Sequence, residues 1–157
     1  MLTIYVDADA CPVKDEVLRV ARRHGLQTYM VSNRWVRGAP EPSVHRVVVP
    51  DGADAADDWI VAHIGADDIA VTRDIGLAAR CIEKGAKAIG PSGLPFTDGN
   101  IGMAVAMRDL TRQLREAGAI RGNNPSHTPR DRSRFLEALE EAIQSIRRRN
   151  PPGRLNP

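Results

Sequence analysis

Residues 4–14 read Ile4-Tyr5-Val6-Asp7-Ala8-Asp9-Ala10-Cys11-Pro12-Val13-Lys14. The apolar residues from Leu2 to Val6 are rich in β-formers and predict a short buried strand. Pro12 predicts the first turn of a helix, because proline fixes φ there and lacks only an N–H that needs no helical partner. Asp7 and Asp9 therefore leave the carboxyl end of a strand, where ligands bind in open α/β sheets. The alternative is that Asp9 caps the helix and Asp7 accepts hydrogen bonds from loop amides.

Strands and helices alternate along the rest of the chain. After a first helix that ends at Gly25, the pattern predicts strands at Leu26–Val31, His45–Val49, Ile69–Thr72 and Ala86–Ile89, with helices at Asp54–His63 and Ile75–Lys84. Two further helices follow: one is capped by Asn100 and runs to about Ala117, and one is opened by Arg130 or Asp131 and passes through Ile146. We therefore expect an α/β domain of three layers, α/β/α, with a mostly parallel sheet of about five strands and two C-terminal helices.

Length and composition predict one domain. The chain has 157 residues, of which 42% are hydrophobic and 27% charged, so we expect a single domain over residues 1–149 and a flexible tail with Pro and Arg over 150–157. Residues 121–157 contain eight Arg and four acidic side chains, although the net charge is only +2. The composition is compatible with a homodimer.

Cysteine usage and hydropathy predict a cytoplasmic protein. No apolar leader opens the chain, and no apolar run is long enough to span a membrane. Cys11 and Cys81 are the two cysteines, and neither has a Cys or His at ligand spacing, which argues against structural zinc and favours free thiols. A helix N-terminus would lower the pKa of Cys11, but we favour a packing role, because free Cys is usually a small buried hydrophobe.

Acidic residues follow three of the predicted strands. They are Asp7 and Asp9 after the first, Asp54, Asp57 and Asp58 after the third, and Asp74 after the fourth. The carboxyl ends of parallel strands lie at one edge of a sheet, and helical residues three or four apart share a face. Carboxylates so close repel one another unless a cation neutralises them, and an all-oxygen site suits Mg²⁺ or Mn²⁺. The alternative is structural, because Asp is favoured in a first helical turn and Asp74 can be a plain N-cap.

Several motifs resemble a known family. They are Asp7-Ala8-Asp9-Ala10-Cys11-Pro12-Val13-Lys14, Ala55-Ala56-Asp57-Asp58-Trp59-Ile60, Val71-Thr72-Arg73-Asp74-Ile75-Gly76-Leu77-Ala78, Asn100-Ile101 and Arg130-Asp131-Arg132-Ser133-Arg134-Phe135. Together they resemble the YaiI/YqxD family of uncharacterised bacterial proteins, which is similar to PIN-like and NYN ribonuclease domains.

That resemblance implies a metal site for phosphodiester hydrolysis. It implies a first metal-binding Asp at Asp7, a middle acid among Asp54, Asp57 and Asp58, and a later acid at Asp74 in Thr72-Arg73-Asp74. The stretch Gly122-Asn123-Asn124-Pro125 departs from the Gly-Gly-Pro or Gly-Pro run expected there.

The resulting hypothesis is a nuclease that uses Mg²⁺ or Mn²⁺ to hydrolyse phosphodiester bonds in RNA. The catalytic residues are predicted to be Asp7, Asp9, Asp57, Asp58 and Asp74, and the metal ligands Asp7, Asp54, Asp58 and Asp74. In such a site a metal-bound water loses its proton near neutral pH and attacks phosphorus, so no side-chain nucleophile is needed.

The predicted partner is nucleic acid, in the form of single-stranded RNA. The predicted substrate-binding residues are Lys14, Arg73, Asn100, Arg130, Arg132 and Arg134, and the loop with Arg34, Trp35 and Arg37 offers an aromatic ring among cations. The alternative is that these cations belong to a solvated surface. Few aromatic residues are present, which argues against an extended stacking platform and against sequence-specific base readout.

Two other functions fit the same residues. In a phosphatase of the haloacid-dehalogenase type, Asp7 is the nucleophile, Asp9 the general acid, and Thr72 with Lys84 or Lys87 holds the phosphate. In a non-catalytic module, the Arg-rich last helix binds RNA or protein and the acidic patch is idle.

Overall fold

The computed structural model describes residues 2–9, 11–35, 38, 40–52, 54–118 and 127–150. In chain order the elements are β1 (Thr3–Asp7), α1 (Lys14–His24), β2 (Gln27–Ser32), β3 (Val44–Val48), α2 (Ala55–His63), β4 (Ile69–Val71), α3 (Ile75–Glu83), β5 (Lys87–Ile89), β6 (Pro95–Phe96), α4 (Asp98–Glu116) and α5 (Pro129–Arg149). Arg37, the stretch 122–125 and the predicted tail beyond Asn150 lie outside the described residues.

The six strands form one sheet in the order β3-β2-β1-β4-β5-β6. The first five are parallel, and β6 runs antiparallel to β5. The predicted α/β class and mostly parallel sheet are therefore confirmed, with a sixth strand added. Periodicity could not indicate β6, because it is two residues long and begins with Pro95.

The strand order reverses beside β1, which is where the site will lie. The chain builds outward from β1 through β2 to β3, and then α2 returns it across the sheet to β4 on the other side of β1. In open α/β sheets the crevice beyond the carboxyl ends of the strands at such a reversal is the usual ligand site. Asp7 ends β1 at this crevice, and β4 ends beside it.

Helices cover both faces of the sheet. Ile4 and Val6 of β1 face a core completed by α1 and α5, whereas Tyr5 faces the opposite core, which α2 and α3 complete. This alternation along β1 is the period-two pattern of a strand with both faces buried. The fold is a three-layer α/β/α sandwich.

The first helix begins later than its sequence predicts. Lys14 is the first residue of α1 and Val13 its N-cap, so Pro12 precedes the helix and does not form its first turn. No side chain caps this helix, and the interpretation of Asp9 as its cap is wrong. The carboxylate of Asp9 is bound elsewhere, as described below.

The two C-terminal helices both begin with capping boxes. Thr97 caps α4 and Thr128 caps α5, and Asn100 and Asp131 return the hydrogen bond to the cap residue. The predicted cap Asn100 lies three residues after the observed cap of α4, and the predicted start of α5 at Arg130 or Asp131 lies one or two residues after Pro129. A capping box has a polar residue at each end, and Asn100 and Asp131 are the second of the two.

Helix α4 packs on the rest of the molecule more loosely than the others. All of its residues are described, and none is buried. Met103, Met107 and Leu110 are 70%, 52% and 47% exposed. A homodimer stays a prediction. Within the described residues, no helix has the length and apolarity needed to cross a membrane.

Candidate active site

Thr72 links the ends of β1 and β4. Val6 pairs in register with Val71, so Asp7 and Thr72 lie opposite each other as the two strands end. The buried Thr72 hydroxyl donates to Asp7 Oδ2 at 3.0 Å, and Thr72 Oγ1 accepts the backbone N–H of Asp74 at 2.9 Å. One hydroxyl therefore fixes both the Asp7 carboxylate and the turn that carries Asp74.

Asp74 is the N-cap of α3. Its Oδ1 accepts the backbone N–H of Leu77 at 3.1 Å, so the structural interpretation of this residue is correct for one of its oxygens. Nη1 of Arg108, from α4, lies 3.8 Å from the same Oδ1. Gly76 leaves room for this approach, because a Cβ at position 76 would lie 2.8 Å from Arg108 Nη1.

Asp57 reaches the same place from the first turn of α2. Its carboxyl group lies within hydrogen-bonding reach of Asp74, and burial, followed by the charges of Asp74 and Asp7, raises its pKa to about 7. Burial also raises the pKa of Asp7, and the charges of Asp9 and Asp74 add to this while the Thr72 hydroxyl opposes it. Near neutral pH Asp57 therefore retains its proton for part of the time. Three carboxylates from three distant segments meet at the β1–β4 crevice.

The other predicted acids are not at this centre. Asp58 forms an ion pair with Arg80 of α3 at 2.9 Å and is exposed, because the next residue along a helix is turned by about 100° from its neighbour. Its assignment as a ligand loses its geometric basis. Asp54 is exposed before α2 and acts on the centre only through its charge, which contributes to the raised pKa of Asp57.

Asp9 faces β2. Its carboxylate accepts hydrogen bonds from the Ser32 hydroxyl and from the backbone N–H of Asn33, the latter at 3.3 Å. Ser32 in turn accepts the backbone N–H of Arg34 at 3.0 Å. Asp9 thus holds the loop after β2 and lies beside the centre, where its charge raises the pKa of Asp7.

The number of carboxylates at the crevice limits how a cation could be bound there. Within the described parts of the chain, no group of three or more acidic, His or Cys side chains is arranged to hold a metal ion. Mg²⁺, however, is usually bound by one or two carboxylates together with water and substrate phosphate. Asp57 and Asp74 supply two neighbouring carboxylates whose repulsion raises the pKa of Asp57, so the residues fit a cation that completes its shell with solvent and substrate.

Two clefts flank the centre, each of about 850 Å³. The β2 cleft, between α1 and the loop after β2, is lined by Asp9, Lys14 and Trp35 among others. The α4 cleft, between the end of β5 and α4, is lined by Arg73 and Arg108 among others. Of the predicted substrate-binding residues, Lys14 and Arg73 thus lie on opposite sides of the acids.

The remaining predicted substrate-binding residues are further away or already engaged. Asn100 Oδ1 accepts the Thr97 N–H and Asn100 Nδ2 donates to the Pro95 carbonyl, so capping uses the side chain.

Three arginines of α5 complete this group. Arg132 pairs with Glu16 of α1 at 3.1 Å. The Arg134 backbone packs on Gly93, where a Cβ would lie 2.6 Å from the Arg134 carbonyl carbon. Arg130 is exposed near the start of α5. The structure does not bring these three to the carboxylates.

Some residues matter more, or differently, than the sequence indicates. Arg108 and Ser32 carried no signal, because their roles depend on how separate elements pack. Lys84, which donates to the Val61 carbonyl, follows α3, and Lys87 begins β5, so both lie at the opposite edge of the sheet from Asp7. Of the phosphate contacts that the phosphatase alternative requires, the two lysines are therefore away from Asp7, whereas Thr72 lies beside it.

Both cysteines are free and buried, as predicted. The expectation of a lowered pKa for Cys11 is wrong, because burial raises the pKa of its thiol and outweighs the nearby charge of Lys14. Burial also raises the pKa of Cys81, to about 12. Both thiols are protonated at neutral pH, which suits packing.

Comparison of the sequence with known proteins identifies a family of similar chains. The model of the YaiI/YqxD family, described as uncharacterised, matches residues 5–145. A UPF0178 protein of Parvibaculum lavamentivorans is 58% identical over 97% of this chain and all of its own length. Relatives with the same name from Rhodospirillum rubrum and Mesorhizobium japonicum are 57% and 53% identical, over 94% and 96% of this chain and 99% and 97% of their own.

Proposed function

The chain belongs to the YaiI/YqxD family, and we propose that it is a divalent-metal-dependent nuclease that hydrolyses phosphodiester bonds in RNA. One observation carries the proposal: Asp7, Asp57 and Asp74 come from three distant segments and meet where the strand order reverses. A crevice of this kind is where open α/β sheets bind ligands.

The mutual repulsion of these acids favours a functional role for them over a structural one. Burial and mutual repulsion raise the pKa of Asp57 and of Asp7, so the acids oppose one another in the folded chain. A cap or loop contact would need one acid, and Asp74 alone already caps α3. Clusters of ionisable groups with raised pKa values in a crevice are typical of functional sites.

A cation bound between Asp57 and Asp74 would neutralise the repulsion that raises the pKa of Asp57. When bound, Mg²⁺ or Mn²⁺ supplies an activated water and neutralises the charge that develops on the leaving oxygen. The chain's own groups do the rest: Thr72 orients Asp7 and the Asp74 turn, and Arg108 lies beside Asp74.

The two clefts favour a polymeric substrate. Lys14 on one side and Arg73 with Arg108 on the other provide cations along both approaches to the acids. A chain of phosphates crossing the crevice meets positive charge before and after the cut bond, whereas a small phosphomonoester uses one side only.

The first test is cation binding. Mn²⁺ should raise the melting temperature of the wild-type chain, because a ligand that binds only the native state stabilises it. Asp57→Asn and Asp74→Asn should abolish the shift. Asp58→Asn is the matched control, since Asp58 is the next residue of α2 and pairs with Arg80, so the shift should persist.

The second test is catalysis. Labelled single-stranded RNA and a small phosphomonoester are incubated with the Mn²⁺-loaded chain and with each variant. Cleavage of RNA that Asp57→Asn loses and Asp58→Asn retains supports the nuclease. Hydrolysis of the monoester alone indicates a phosphatase, and binding of RNA without cleavage of either substrate indicates the non-catalytic module.

A further inference from the structure

We propose that the β2 cleft is a subsite for one unpaired nucleotide of a single strand. Its base would stack on Trp35 and its phosphate would face Lys14 and Arg34. Binding of the nucleotide requires no cleavage and is independent of the proposed function. Only cleavage of the bond next to this nucleotide rests on the proposed function.

One of the side chains that line the cleft is a largely exposed aromatic ring. Trp35 is 69% exposed and lies at the cleft. An aromatic ring exposed to this degree gains free energy when a ligand covers it, because apolar surface is then removed from water. The other tryptophan, Trp59, packs against Tyr5, Tyr29 and His63 instead.

The wall of the cleft suits a nucleobase. Its apolar lining consists of Leu18, which is half-buried, and of Cys11 and Met30, which are 8% and 2% exposed. Lys14 and Arg34 also line the cleft, as do the acidic residues Asp9 and Asp15. Apolar and cationic side chains in one cleft match the chemistry of a nucleotide, whose base is flat and weakly polar and whose phosphate is anionic.

The loop that carries Trp35 is held in place. Asp9 binds Ser32 and the Asn33 N–H, and Ser32 accepts the Arg34 N–H. Three successive residues before Trp35 are thus tied to β1's exit, so the ring is presented from a supported turn. A preformed site loses less conformational entropy when its ligand binds.

The same contacts connect the cleft to the acids. Asp9 lines the cleft and lies two residues after Asp7, which ends β1. A nucleotide stacked on Trp35 would therefore place its flanking phosphodiester towards Asp7. Bases within a duplex already stack on one another, so the subsite selects single strands.

Fluorescence of Trp35 tests binding without catalysis. Trp59→Phe leaves Trp35 as the sole tryptophan, since the chain has two. In EDTA, a short oligouridylate should quench this emission, while the same strand paired with its complement should quench it far less. Oligothymidylate, run alongside, reports whether the sugar matters.

Variants locate the site. Trp35→Ala should weaken binding of the single strand, followed by fluorescence anisotropy of a labelled oligonucleotide, by about 5- to 100-fold, whereas Trp35→Phe should keep most of it. Lys14→Ala should also weaken binding of the single strand, and the loss should be larger at low salt than at high salt. Leu110→Ala is the matched control, because Leu110 is exposed and lines neither cleft, and it should leave binding unchanged.

The outcomes separate this subsite from the nuclease. Equal quenching by single strand and duplex, or full binding by a folded Trp35→Ala, overturns the subsite even if the chain cleaves RNA. Quenching of Trp35 by the single strand, together with anisotropy that shows weaker binding by Trp35→Ala and near wild-type binding by Trp35→Phe, supports the subsite, and it overturns the nuclease if the chain cleaves no RNA with Mn²⁺.

Discussion

Carboxyl groups in two regions of this molecule have pKa values that are shifted in opposite directions. At the crevice, burial and neighbouring acids raise the pKa of Asp57 to about 7. At the seam between α1 and α5, Glu140 is hydrogen-bonded to His24 Nε2 at 2.9 Å and accepts from Gln144 at 2.9 Å and from Arg23, and its pKa is lowered to about 2. The environment of the same chemical group thus favours its neutral form at one place and its charged form at the other.

The difference is the one expected between the proposed site and a structural contact. His24 Nδ1 accepts from Arg147 at 2.8 Å, which leaves Nε2–H to donate to Glu140, so every partner at the seam favours the carboxylate. At the crevice each additional acid disfavours its neighbours. Charges that are compensated hold two helices together, whereas charges that are not compensated lower stability and are ready to accept a cation.

The largest effect is expected in the core beneath the seam. Leu139→Ala removes a fully buried side chain of α5 and should lower the free energy of unfolding by about 2–5 kcal/mol. RNA cleavage per folded molecule should stay near wild type, since α5 contributes no acid. Urea denaturation together with the cleavage assay checks both. Loss of cleavage in the folded variant would mean that the seam also shapes the site.

The reverse pattern is expected at the crevice. Asp57→Asn should reduce RNA cleavage by about 100-fold or more, because it removes one of the two carboxylates available to the cation. The free energy of unfolding at pH 8 should rise, since a repulsive charge is lost. Initial rates under saturating Mn²⁺ and thermal unfolding measure the two quantities. A fall in both would contradict the proposed cost of the acidic cluster.

Stability should depend on pH in opposite directions in the two regions. Asp57 has a pKa raised from 3.8 to about 7, so its contribution is complete below pH 4 and is lost as pH rises through about 7. Glu140 has a pKa lowered from 4.5 to about 2, so its contribution is present above pH 4.5 and is lost as pH falls towards 2.

Two variants measure how these contributions to stability change with pH. Asp57→Asn should gain stability over wild type mainly above pH 7, and Glu140→Gln should lose about 1 kcal/mol near neutral pH and progressively less below pH 4.5. Melting temperatures across the pH range measure both, and slopes of the same sign would undo the comparison.

The smallest effect is expected at Gly76. A Cβ there would lie 2.8 Å from Arg108 Nη1 and 3.1 Å from Asp74 Oδ1. Gly76→Ala should displace the arginine and lower cleavage a few-fold, while the helix gains up to about 1 kcal/mol from the better helix former. Arg108→Gln should reproduce the loss of cleavage without the gain in stability. Unchanged rates in both variants would show that this arginine is not needed.

Much of the fold could be predicted from local pattern. Alternating apolar runs and glycine stops indicate five strands and five helices, and Asp7 and Asp74 follow as residues that leave strand ends. The choice among Asp54, Asp57 and Asp58 could not be made, because it depends on how α2 is rotated about its axis. Arg108 needed the packing of α4 on α3, and Ser32 needed the pairing of β1 with β2. These are long-range facts that spacing along the chain does not contain.

The exposed side of α4 has a chemical consequence. Thioethers at the surface are open to oxidants, so Met103 and Met107, at 70% and 52% exposure, should take up oxygen well before Met30, which is 2% exposed. Because α4 buries no side chain, the sulfoxides would form without unfolding the sheet. Brief peroxide treatment and peptide mass spectrometry would therefore label this one helix of a native molecule.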